Sequence, residues 1–271
     1  MRKFFHNWRV KYSNLQSSAF LSILLFISPI ASAGFYKSEV LADNPLGYWE
    51  LDETSGTTAL DSSGNGNNGT YVGGITQGTS GAFSGSSAVL FDGSTGYVDL
   101  GGIWSGANEL TIETWVNVSS STGGFQAVVS SLALSQFAHL QLSDIGNITT
   151  YTDTGTLNFN NISQNPVDDW RHIALVAESG NSKIYIDGIE VSSNTATFAS
   201  VNSASSIRIG SGYAGGRFFN GLIDDVAIYD HALSSADINR HFAASSIPEP
   251  SSIVLFLFGS LGLLIYRMKR V

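Results

Sequence analysis

The segment Leu110-Thr111-Ile112-Glu113-Thr114-Trp115-Val116-Asn117-Val118 alternates residue by residue, and this period of two constrains the chain more than any other feature. Successive side chains point to opposite faces only in an extended strand. The pattern predicts Leu110, Ile112, Thr114, Val116 and Val118 on one face, with Glu113 and Trp115 on the other. Shorter strand-like runs recur at Tyr48–Leu51, Ala88–Phe91, Tyr97–Leu100 and Leu222–Tyr229, with turn residues between them. Lys183–Ile186 and Ile189–Val191 flank Asp187-Gly188, a pair that supplies the positive φ values of a type I′ hairpin turn. Asn220-Gly221 gives the same signal ahead of Leu222. Only Ser234–Phe242 reads as a helix inside this region. Ser234 can cap it, Asp237 follows three residues later, and Ile238 and Phe242 share a face. Many strands with one short C-terminal helix predict an all-β, two-sheet jelly-roll sandwich.

The two ends read differently. Arg2, Lys3, Arg9 and Lys11 precede an apolar run from Ala19 to Ile30, and Ala31-Ser32-Ala33 follows. A basic leader, a short apolar core and a small-x-small site describe a secretory signal peptide over 1–33. Handling by the Sec machinery and signal peptidase is expected, with cleavage between Ala33 and Gly34. At the other end, residues 247–271 contain Pro248-Glu249-Pro250, an apolar stretch over 252–266, and Arg267, Lys269 and Arg270. The apolar stretch is expected to form a transmembrane helix, with the basic residues on its cytoplasmic side. At about 1.5 Å per residue it is a little short for the ~30 Å hydrocarbon core, a deficit the flanks can cover by snorkelling. This three-part tail resembles the PEP-CTERM sorting signal of Gram-negative bacteria. The resemblance implies recognition by exosortase at the inner membrane, final placement at the cell surface or in the extracellular matrix, and an association with exopolysaccharide. The alternative is a plain tail anchor.

Between the ends, 34–246 reads as one domain. Segment 34–247 keeps six basic residues against 21 acidic ones, a net charge of −15. That balance excludes a generic nucleic-acid binder, which needs a basic footprint. The absence of cysteine excludes disulfide frameworks, thiolate metal sites and cysteine nucleophiles. Several stretches resemble the LamG-like jelly-roll domains of the concanavalin A-like lectin/glucanase superfamily. They are Gly47-Tyr48-Trp49-Glu50-Leu51-Asp52-Glu53, Asp61-Ser62-Ser63-Gly64-Asn65-Gly66, Phe91-Asp92-Gly93, Trp170-Arg171-His172-Ile173-Ala174, Tyr185-Ile186-Asp187-Gly188 and Asn220–Tyr229. The resemblance implies the fold. For function it is permissive, because lectins, adhesins, spacers and hydrolases share it.

Candidate chemistry is sparse. A glycosidase needs two carboxylates about 5–10 Å apart across a cleft. Glycanases of this fold carry Glu-x-Asp-x-x-Glu, whereas Glu50-Leu51-Asp52-Glu53 is followed by Ser55 at the last position. Glu113 stands alone on its strand. A non-catalytic protein is therefore expected. His172 reads as a packed or half-exposed strand position. Asp61, Ser63 and Asn65 place oxygens at alternate positions ahead of Gly66, the front of a calcium loop, but Val72 stands where the closing glutamate belongs. Asp224 and Asp225 are the natural source of the missing carboxylate. Either these residues hold a structural Ca²⁺, or the loop is only an Asx-rich turn. Trp49, Trp115 and Trp170 are expected in the core. Trp104, in a glycine-rich loop, is placed to stack on a sugar or to plug one end of the sandwich. The expectation is an exported cell-envelope protein that binds or organises polysaccharide. The alternatives are a structural or adhesive module without glycan affinity, and a divergent glycanase.

Overall fold

A computed structural model describes residues 33–103, 106–119, 124–132, 139–142, 148–151, 169–195, 206–212 and 216–246. In chain order the elements are α1 (Ala33–Ala42), β1 (Gly47–Trp49), β2 (Thr58–Ala59), β3 (Gly69–Val72), β4 (Ile75–Ser80), β5 (Ser87–Asp92), β6 (Tyr97–Gly101) and β7 (Leu110–Val118). Then come β8 (Gln126–Ser131), β9 (His139–Leu142), β10 (Ile148–Tyr151), β11 (Arg171–Ala177), β12 (Ser182–Ile186), β13 (Ile189–Asn194), β14 (Ile207–Ile209), β15 (Asn220–Tyr229) and α2 (Ser235–Ala244). The strands form two antiparallel sheets. The first runs β13-β12-β11-β7-β15-β5-β4, with β1 also paired to β15; the second runs β10-β9-β8-β14-β6-β3-β2. The first and last strands are thus neighbours, as a jelly roll requires.

The alternation of β7 decides how the layers stack. Leu110, Ile112, Val116 and Val118 enter the core between the sheets, beside Trp49, Phe91, Leu140, Ile173 and Ile209. Burying each large side chain there is worth about 1.5–3 kcal/mol. Trp115 points the other way and belongs to a second apolar cluster with Tyr36, Val40, Phe83, Val176 and Ile238. That cluster lies between the outer face of the first sheet and the two helices. Trp170 is partly buried against it, so all three core tryptophans sit in packed surroundings.

The Asp187-Gly188 hairpin forms as expected, with φ values of 50° and 75° and with Ile186 opposite Ile189. Asn220-Gly221 does not turn. It opens β15, where Gly221 lies opposite Phe91 and Val118. A Cβ on Gly221 would stand 2.3 Å from the Asn117 carbonyl oxygen, so glycine is there for close strand approach. Helix α2 carries the expected capping box between Ser234 and Asp237. Helix α1 was not legible. It buries Tyr36 and Val40, four residues apart, and it ends where Asn44 adopts a φ of 53° ahead of Pro45. Cleavage after Ala33 would leave all of α1 but its first residue.

Among the described residues, no helix is long and apolar enough to cross a membrane. The apolar stretch 252–266 and the residues Pro248, Glu249, Pro250, Arg267, Lys269 and Arg270 lie outside the described residues, as does Ala31.

Candidate functional site

The outer face of the first sheet is closed by chemistry as well as by helices. Glu113, fully buried, accepts hydrogen bonds from the Tyr229 hydroxyl at 2.5 Å and from His241 Nδ1 at 3.0 and 3.1 Å. His172 Nε2 lies 3.3 Å from its other side, and the Tyr36 hydroxyl lies 3.3 Å from that same nitrogen. His241 Nε2 faces Asp43 at 2.9 Å. Both His241 nitrogens therefore meet carboxylates, the arrangement of an imidazolium. Burial by itself would raise the Glu113 carboxyl. The His241 charge and the hydrogen bonds from His172 and His241 outweigh burial and hold it far below the usual carboxylate range. Burial lowers His241, but Glu113 and Asp43 overcome that and raise it. Glu113 is thus not alone, and His172 is neither half-exposed nor free. Glu113, His172 and His241 are all closed off from solvent, and of the cluster's carboxylates only Asp43 is partly exposed.

A second acidic group lies where β1, β15 and the turn after β4 converge. Asp224 Oδ2 accepts the Ala82 N–H at 2.8 Å and the Ser86 hydroxyl at 3.2 Å, while its buried Oδ1 has no partner. Asp52 Oδ1 accepts the adjacent Ser87 N–H. Asp225 receives the Tyr48 hydroxyl and has a φ of 49° at a β-bulge between Asp224 and Ala227. The bulge interrupts the alternation at two successive aspartates, and both are buried, as is every residue of β15 from Ile223 to Tyr229. Burial, with Asp52 adding negative charge, pushes Asp224 up to about 8. Burial and then Asp224 raise Asp225, and burial raises Asp52.

The other loop residues are engaged differently. Asp61 Oδ1 accepts the N–H groups of Tyr48 and Ser63, and Oδ2 accepts that of Asn67. Burial would push Asp61 up; these backbone donors outweigh it and lower its pKa. The Ser63 hydroxyl accepts the Asn65 N–H, and the Asn65 amide donates to Pro45 and Leu46 carbonyls. The structure therefore sets Asp61, Ser63 and Asn65 in a hydrogen-bonded turn beside β1. It sets Asp224 and Asp225 across β1 from that turn. No group of three or more His, Cys, Asp or Glu side chains among the described residues is arranged to hold a metal. Asp224 Oδ1 is the only buried carboxylate oxygen among the described residues without a hydrogen-bond partner.

The second sheet presents the other outward face. Tyr97 and Asp99 on β6, Arg208 on β14, Ser130 on β8, and His139 and Gln141 on β9 all oppose core-facing neighbours and point away from the sandwich. Ser130 Oγ meets His139 Nδ1 at 2.5 Å, and Arg208 lies 3.9 Å over the Tyr97 ring. Of these six side chains Ser130, His139 and Gln141 are buried, and only Tyr97, Asp99 and Arg208, on β6 and β14, reach solvent.

A family model described as Laminin_G_3, the concanavalin A-like lectin/glucanases superfamily, matches residues 92–239, more than half of the chain. The chain belongs to that superfamily. Solved structures agree with this concanavalin A-like fold. Domain 4 of AbnA, a GH43 extracellular arabinanase from Geobacillus stearothermophilus, in complex with arabinotriose, superposes with a TM-score of 0.58 at 20% identity. It covers 73% of this chain and 98% of its own. The binding domain of botulinum neurotoxin serotype D superposes with a TM-score of 0.58 at 18% identity, over 75% of this chain and 52% of its own. Both show the fold alone. Adhesion G-protein coupled receptor V1 of Danio rerio is 34% identical over 76 residues, 27% of this chain and 1% of the receptor's length.

Within this concanavalin A-like frame, Glu50, Asp52 and Glu53 are all engaged, Asp52 by the Ser87 N–H. Glu50 binds Lys37 and Ser62, and Glu53 binds the Tyr71 hydroxyl and the Leu60 N–H. Trp104 lies outside the described residues. Sequence reading missed Asp52 as a neighbour of Asp224, and it missed the whole face of the second sheet.

Proposed function

We propose that the protein is an exported, non-catalytic cell-envelope module that binds extracellular polysaccharide on the outward face of its second sheet. The observation that carries this reading is the asymmetry of the two outer faces. One is sealed by α1, α2 and the Glu113 cluster, and the other, over buried Ser130, His139 and Gln141, brings Tyr97, Asp99 and Arg208 part-way into solvent. A neighbour of the same fold bound to arabinotriose supports the ligand class. The mature protein should be retained by polysaccharide from its own host and should release no reducing sugar from it. Failure to bind any polysaccharide leaves a structural or adhesive module. Turnover that disappears in Glu50→Gln would instead make it a glycanase.

Export and sorting complete the proposal. The Sec machinery delivers the chain, signal peptidase cuts between Ala33 and Gly34, and 252–266 holds it in the inner membrane until exosortase processes the tail. The sequence order Pro248-Glu249-Pro250, apolar stretch, Arg267, Lys269 and Arg270 supports this. Replacing Pro248 and Pro250 together by alanine should leave unprocessed protein in the inner-membrane fraction. Release at the wild-type rate would reduce the tail to a plain anchor. We also propose one structural Ca²⁺ held by Asp224, with Asp52 and Asp225 beside it. Its part is to neutralise buried negative charge and fix the junction of β1 with β15, with no share in any reaction.

A further inference from the structure

Six basic residues belong to segment 34–247, and five of them meet carboxylates. Lys37 pairs with Glu50 at 2.7 Å, Arg171 with Asp169 and Asp187, Lys183 with Glu190 at 3.2 Å, and Arg208 with Asp99 at 3.7 Å. Arg240 meets Glu39, Asp43 and Asp237. Arg217 meets none among the described residues. In a segment with 21 acids, a guanidinium without a carboxylate is the exception.

Arg217 is nevertheless held in place. Its Nη1 donates to Gln141 Oε1 at 2.7 Å, on the outward face of the second sheet. Its guanidinium carbon lies 5.1 Å from the centre of the Phe125 ring, which is 45% exposed. Its carbonyl accepts the Ala127 N–H at 2.8 Å, which ties this residue to the start of β8. The backbone has a φ of 55°, a left-handed conformation that costs a residue with a side chain free energy. Strain, an exposed aromatic ring and an unmatched charge therefore coincide at half-buried Arg217, beside the buried Gln141 of the second sheet.

We propose that Arg217 receives the carboxylate of an acidic sugar, a uronate residue of the bound polysaccharide, while Phe125 packs against the sugar ring. This rests on the reading that the second sheet binds polysaccharide and names the class bound. Gln141 takes one of the five guanidinium donors, and the remainder of the fork matches a carboxylate in two parallel hydrogen bonds. The net charge of the domain opposes a polyanion at long range. Ions screen that repulsion beyond about 8 Å at physiological ionic strength, well outside the contact distance of the pair.

The test measures binding of the mature protein to polygalacturonate, to its carboxyl-reduced counterpart, to a neutral glucan and to a sulfated glycan. Polygalacturonate should bind at least about tenfold more tightly than the carboxyl-reduced polymer, a difference of ~1.4 kcal/mol. Arg217→Gln should remove that preference. Arg217→Gly should remove it too, yet melt at the same or a higher temperature, because glycine accepts the φ of 55° without strain. Unchanged polygalacturonate binding in both variants, or equal binding of the carboxyl-reduced polymer, overturns the proposal while leaving polysaccharide binding intact. Preference for the sulfated glycan overturns the carboxylate assignment. If none of the polymers binds, the proposed function falls with it.

Discussion

Glu113→Ala is expected to destabilise the protein by about 3–5 kcal/mol, the cost of removing one partner from a buried ionic pair. The melting temperature should fall by roughly 6–20 °C at ~2–4 °C per kcal/mol. The size follows from what the carboxylate does. It holds the Tyr229 hydroxyl, His241 Nδ1 and His172 Nε2, all buried. Through them it clamps α2, and through Tyr36 it clamps α1, onto β7 and β11. Glu113→Gln preserves the shape and separates charge from packing. The pH dependence carries a sign. The folded state holds Glu113 below its ordinary value of 4.5, so its contribution is present above that pH and fades as pH falls. The folded state holds His241 above 6.5, so its contribution is complete below that pH and fades as pH rises. Together they favour a stability maximum between about 4.5 and 6.5, by urea melts across pH. Glu113→Gln should flatten both flanks. A Gln variant with the wild-type profile would show that the cluster is not what ties stability to pH.

Calcium should have the second largest effect. A ligand that binds only the folded state at a hundredfold excess over Kd adds about 2.7 kcal/mol. For this domain that is a rise of roughly 5–10 °C in melting temperature between chelator and millimolar Ca²⁺. The folded state raises Asp224 from 3.8 to about 8, so without a cation its ionised form costs stability progressively across that range. Asp224→Asn should thus melt no lower than wild type in chelator at neutral pH, and it should lose the calcium increment. Asp61→Ala should lower the melting temperature in chelator as well, because it frees the N–H groups of Tyr48, Ser63 and Asn67. If the wild-type curve is the same in chelator and in calcium, Asp224 holds no cation.

What the sequence determined was local. A period of two placed Leu110, Ile112, Val116 and Val118 against Trp115 because the pleat of a strand permits nothing else. Asp187-Gly188 fixed a hairpin because few pairs tolerate two positive φ values, and Ser234 with Asp237 fixed a helix start because both satisfy orphaned N–H groups. Asn220-Gly221 misled because its glycine serves close strand approach, which depends on Asn117 a hundred residues away. The functional geometry was decided by such distant partners. Glu113 meets His241 only when the last helix returns to the first sheet, and Tyr36 reaches His172 only when α1 folds beneath it. Nothing in Asp224-Asp225 announces the bulge, or the burial of both side chains. Nor does any motif around Arg217 show that it alone among the described lysine and arginine side chains finds no acid. Burial and charge pairing are properties of surfaces brought together in space, and only the tertiary structure assembles those surfaces.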